Sequence, residues 1–151
     1  MQNSVKWCWA TVVVFLALPC LAHEPGLSSA TFKVMTNGID ATLTFAVADV
    51  EGVLTMDNDL DGKVSKLEFA YAKTRLAILA IEALELSLNG SNLTAAEPNL
   101  LLDEKNNVDM EIFFPCLPSG VLKIRSKILT NMPSGHRQFA TVENPKSRRL
   151  A

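Results

Sequence analysis

The residues best suited to chemistry lie in one run, Asp57-Asn58-Asp59-Leu60-Asp61-Gly62-Lys63-Val64-Ser65-Lys66-Leu67-Glu68. A hard cation such as calcium takes about six to eight oxygen ligands, so it needs many oxygens from a short length of chain. Asp57, Asp59 and Asp61 stand at alternate places and can turn inward together while the chain curls. Gly62 permits the sharp turn that follows. Lys63 would offer its backbone carbonyl and keep its ammonium in solvent. Ser65 can reach an ion directly or hold a bridging water, and Glu68 can bind through both oxygens. Val64 is expected to pack inward. A merely solvated acidic turn would not require a glutamate at the twelfth place of this run.

Elements on both sides must hold such a loop. Val47, Val50, Val53 and Leu54 recur at helical spacing and end just before Asp57. Beyond Glu68, the residues Leu67, Ala70, Tyr71, Leu76, Leu79 and Ala80 are read as one face of a longer helix, with Lys73 and Arg75 among its polar positions. That helix is expected to give way between Glu82 and Glu85.

The rest alternates with period two. Phe32 and Val34 alternate with Thr31, Lys33 and Met35, Asn37-Gly38 supplies a turn, and Leu43, Phe45 and Val47 share a face. Leu84, Leu86 and Leu88 form another alternating run before Asn89-Gly90. Leu100 to Leu102, Val108 to Phe114, Val121 to Leu129 and Phe139 to Val142 complete the strands, with turns at Pro118-Ser119-Gly120 and Met132-Pro133-Ser134-Gly135. The expected fold is mostly β with an α insert (α+β). It is an antiparallel β-sandwich-like domain over residues 23–143, with a helix-loop-helix inserted at about 48–82. Residues 144–151 are expected to be a disordered tail.

The loop resembles the EF-hand family at its first, third, fifth, sixth, ninth and twelfth positions. That resemblance implies a calcium site made by Asp57, Asp59, Asp61, Lys63, Ser65 and Glu68. It is the only such loop in the sequence, since Asp103 to Asp109 lacks the glycine and the terminal glutamate. An unpaired site is expected to serve structure, with affinity in the range of roughly 0.1–1 mM.

A wider resemblance rests on Ala22-His23-Glu24-Pro25-Gly26, the strand pair, the acidic loop, Leu86-Ser87-Leu88-Asn89-Gly90 and Gly135-His136-Arg137-Gln138. Together they resemble the extracytoplasmic N-terminal region of bacterial HupE/UreJ-type membrane proteins, in which such a domain precedes transmembrane helices. No transmembrane segment follows here, so a transport role is not carried over. The expectation is a stand-alone exported relative or a piece of a membrane protein, with an extracytoplasmic or membrane-protein partner.

Export is also read from the start of the chain. Lys6, the apolar run Trp7 to Leu18, Pro19 and Cys20-Leu21-Ala22 have the pattern of a secretory signal peptide over residues 1–22. Cleavage after Ala22 would remove Lys6, leaving 13 bases against 16 acids and a net charge of −3. Nothing in that balance is basic enough to suggest a nucleic-acid partner. Cys8 and Cys20 would leave with the signal, so the mature domain keeps Cys116 alone and has no internal disulfide.

Two other readings compete with calcium. His23, as a new N-terminus, would offer an amine and an imidazole, and with His136 could make a copper site in the periplasm. The domain could also be a protein-interaction module. No nucleophile elbow, phosphate loop or zinc-type histidine cluster occurs in the sequence, and catalysis is not expected.

Overall fold

The structure is a computed structural model and describes residues 26–144. The expected signal peptide, His23 and the expected tail beyond Asn144 lie outside the described residues.

Alternation produces the main sheet. β1 (Leu27–Val34) and β2 (Gly38–Ala46) pair antiparallel around Asn37. β2 also pairs with β6 (Asn107–Pro115), and β6 with β5 (Asn99–Leu102). The register puts Ile39 opposite Phe114, Ala41 opposite Ile112, Leu43 opposite Met110 and Phe45 opposite Val108. All eight side chains are buried, so one face of the sheet is continuously apolar. The other face is mixed, with Phe113 and Leu101 among polar residues; there Thr44 donates its hydroxyl to Asp109 at 2.6 Å.

The fold is mostly β with a helical insert, built on two sheets. The second sheet is formed by β3 (Leu84–Leu88), β4 (Ser91–Asn92) and β7 (Leu122–Ser126). The expectation of uniformly antiparallel pairing is corrected at one place. β8 (Arg137–Glu143) runs parallel to β1, giving the order β5-β6-β2-β1-β8. Parallel neighbours require a long connection, and nearly the whole described chain lies between these two strands. Their common start is fixed where the Arg137 N–H donates to the Gly26 carbonyl at 2.7 Å.

The insert also departs from expectation. Its first helix, α1, covers only Val47–Glu51, with no side-chain cap at Ala46. The N–H groups of Val53 and Leu54 both donate to the Val50 carbonyl, so the chain turns instead of continuing to Asp57. A five-residue helix without a cap cannot propagate through Gly52 on local preference alone. The second helix, α2 (Lys66–Ala83), is long and well started, because Ser65 and Glu68 form a capping box. It packs against β5, β6 and β3.

The face predicted for α2 is wrong in part. Leu76 and Ala80 are buried, joined by Phe69, Ala72 and Ala83, while Leu67 and Tyr71 are exposed on the opposite side. At 100° per residue, positions 67 and 71 cannot share a face with 76 and 80.

Candidate metal centre

The acidic loop hangs between α1 and α2 and is tied to both. On the α1 side, Glu51 Oε1 accepts the N–H groups of Met56 and Asp57 at 2.6 and 2.7 Å. Met56 is fully buried, so the loop begins from a fixed point in the core. On the α2 side, Ser65 Oγ accepts the Glu68 N–H at 3.3 Å, and Glu68 Oε2 accepts the Ser65 N–H at 2.9 Å. Val64 is buried, as expected from its apolar side chain.

Between these anchors each aspartate is turned by a backbone N–H. Asp57 Oδ2 accepts from Gly62 at 2.9 Å, Asp59 Oδ1 from Asp61 at 3.2 Å, and Asp61 Oδ1 from Lys63 at 2.8 Å. The curl requires left-handed backbone at Leu60 (φ 60°) and Gly62 (φ 84°). A glycine accepts that conformation without a side-chain clash, whereas leucine does so under strain. One carboxylate oxygen from each of Asp57, Asp59 and Asp61 lies within 4.8 Å of the others.

Three of the expected ligands are therefore brought together. Glu68 is close but differently occupied: its Oε1 accepts the N–H groups of Asn58 and Asp59 at 2.7 and 3.4 Å. The N–H donors of Ser65 and Asn58, helped by the Ser65 hydroxyl, hold the Glu68 carboxyl down to about 2 against the opposing effect of desolvation. Ser65 stands beside it in the capping box. Lys63 is exposed and joins the loop through its backbone N–H.

The electrostatics of the cluster favour a cation. Asp59 accepts the Asp61 N–H, which works to lower its pKa. Desolvation, repulsion from Asp61 and Glu68 and the neighbouring Asp57 side chain outweigh that bond and raise it above the usual aspartate value. Asp57 Oδ1 is buried and has no hydrogen-bond partner. A buried carboxylate oxygen without a donor is costly unless a positive charge meets it. The residues thus fit a hard divalent cation.

Sequence reasoning missed two features. Glu51 fastens the loop to α1, and its only sequence signal is an acid at the end of a short apolar-periodic run. Asp49 belongs to a second polar group around His136. The His136 side chain is 1% exposed, with Nε2 at 2.9 Å from Ser28 Oγ and Nδ1 at 3.8 Å from Asp49 Oδ1. Its ring packs on Phe45 at a centroid distance of 6.1 Å, and Asp49 Oδ1 accepts the Gly26 N–H at 3.1 Å. The histidine expected in a copper site is thus built into the junction of α1, β1 and β8. No family model matches the chain, and no curated protein matches it in sequence.

Proposed function

We propose that the loop from Asp57 to Glu68 binds one calcium ion, in an EF-hand-like manner, in a domain exported from the cytoplasm. The observation that carries this reading is the buried, unpartnered Asp57 Oδ1 beside the carboxylates of Asp59 and Asp61. The residues that would hold the ion are Asp57, Asp59 and Asp61, the Lys63 carbonyl, Ser65 and Glu68. Calcium would supply charge neutralisation there.

The role is structural. The loop joins α1 to α2, and both elements are bonded to it, so an ion would stiffen the connection between the main sheet and the helix. Backbone N–H groups compete with the ion for Glu68, and that competition favours modest affinity, in the range of about 0.1–1 mM. That is the range of extracellular calcium modules.

Calorimetric titration with calcium, paired with thermal unfolding, tests the reading. Calcium at ten times Kd should stabilise the fold by about 1.4 kcal/mol, a rise of several degrees in Tm. The absence of both binding heat and a Tm shift at several millimolar calcium would defeat it.

A further inference from the structure

Helix α2 is apolar on two sides. One side carries Phe69, Ala72, Leu76, Ala80 and Ala83 into the core. On the other, Leu67, Tyr71, Ile78 and Ile81 remain 63, 72, 55 and 46% exposed. With Thr74 these residues are spaced four, three, four and three apart. At 100° per residue they fall within a sector of about 80°, centred opposite Leu76. This is the spacing of a helix-packing seam, which inserts side chains into the holes of a facing helix. The neighbouring Ala70 and Ala77 are small enough to let a second helix approach closely.

We propose that this stripe pairs with the same stripe of a second copy, antiparallel, about a two-fold axis crossing near Thr74. In that arrangement Leu67 faces the partner's Ile81, and Tyr71 faces the partner's Ile78. The surface is self-complementary, as a two-fold contact requires. The four apolar side chains leave about 400–500 Å² uncovered per copy. Two copies with their flanking residues therefore bury about 1,000 Å², the lower bound for a specific interface. Charge sets the direction. A parallel pair would bring two loops, each with Asp57, Asp59 and Asp61, to the same end. The antiparallel pair separates them by about the helix length, roughly 27 Å.

An anionic bilayer is the less favourable occupant. The acidic loop adjoins the first turn of the same helix. Of the cations on α2, Arg75 already donates to the Thr55 carbonyl at 3.0 Å, and the Lys73 ammonium lies over the Phe69 ring at 5.9 Å.

Sedimentation of the full chain after export, between about 1 and 300 µM, tests the pairing. A monomer–dimer equilibrium with Kd of about 1–100 µM is expected. Tyr71→Glu and Ile78→Glu should each weaken it at least about tenfold, and should leave Tm unchanged when it is measured at a concentration where the wild type is monomeric, because both side chains are exposed in the single copy. Thr74→Cys in a Cys116→Ser background should form an intermolecular disulfide readily, and Lys33→Cys in the same background should not. A monomer throughout that range would overturn the proposal. So would a dimer unaffected by both glutamates, or a Thr74→Cys protein that dimerises without cross-linking. A chain that stays monomeric yet binds phosphatidylglycerol vesicles through Tyr71 and Ile78 would overturn it in favour of a membrane.

Discussion

Glu51 Oε1 accepts the backbone N–H of Asp57 at 2.7 Å, and the same oxygen accepts the Met56 N–H at 2.6 Å. One side chain at the end of α1 thus fixes the backbone that carries the first carboxylate of the loop. The connection does the work that a longer entering helix would do, because α1 stops six residues before Asp57. Replacing Glu51 by Ala should lose two charge-assisted bonds and cost about 1–3 kcal/mol. Glu51→Gln keeps an acceptor oxygen and should recover much of that loss. Chemical denaturation of the three proteins without calcium measures both effects. Equal stability of wild type and Glu51→Ala would show that Met56 alone anchors the α1 side of the loop.

The Glu68 carboxyl links stability to pH. Its folded pKa is about 2 against an ordinary 4.5, so the shift is downward. A lowered acid contributes stability that is fully present above 4.5 and is lost as pH falls toward 2. The calcium-free protein should therefore weaken across this window. Glu68→Gln should be less stable at neutral pH and show a flatter decline, and it should also lose the rise in Tm that the proposed calcium site gives the wild type. Denaturant unfolding at intervals from pH 6 to 2.5 checks the first claim, and calorimetry at neutral pH checks the second. Parallel pH curves for the two proteins would rule out this role for Glu68.

Two left-handed residues in the loop should respond in opposite directions. Leu60 adopts φ 60° with 84% of its surface exposed, so its side chain gives no packing in return for the strain. Leu60→Gly should stabilise the calcium-free protein by about 0.5–1 kcal/mol, less the entropy that glycine adds to the unfolded chain. Gly62 at φ 84° has open space around a prospective side chain, so Gly62→Ala fails only through backbone strain, at about 1 kcal/mol. Thermal melts of both variants against wild type show the two signs directly. A Gly62→Ala protein as stable as wild type would mean that the loop adopts another path.

Much of this arrangement was legible in the sequence, for identifiable reasons. Period-two alternation located Phe32, Leu43, Phe45, Val108 and Ile112 because each sits on a sheet face with one apolar side. The gathering of Asp57, Asp59 and Asp61 was legible because the three lie within five residues of one another. Three features were not. The buried face of α2 was not legible: helix geometry puts Leu67 and Tyr71 opposite Leu76 and Ala80, but both sides are apolar and no local rule says which one meets the sheet. The early end of α1 depends on where the Glu51 side chain goes. The parallel β1–β8 pair, with Ser28, Asp49 and His136 at its root, joins residues more than a hundred positions apart, and no periodicity reports such a contact.

Gly38 shows how a correct signal can have a different cause. Asn37-Gly38 predicts a turn, and the chain does turn there. Yet Gly38 is not among the left-handed glycines. It opens β2 opposite Pro115, and a Cβ built on it would lie 2.4 Å from the Phe113 ring and 2.7 Å from the Phe114 carbonyl. The ring can move, but the carbonyl belongs to the paired strand. Gly38→Ala should therefore cost about 1–3 kcal/mol. Adding Phe113→Ala removes the first clash and leaves the second, so the pair should couple favourably without full rescue. A double-mutant cycle by urea denaturation measures the coupling. Additive losses would mean that the Phe114 carbonyl alone excludes a side chain at this position, and full rescue that the ring alone does.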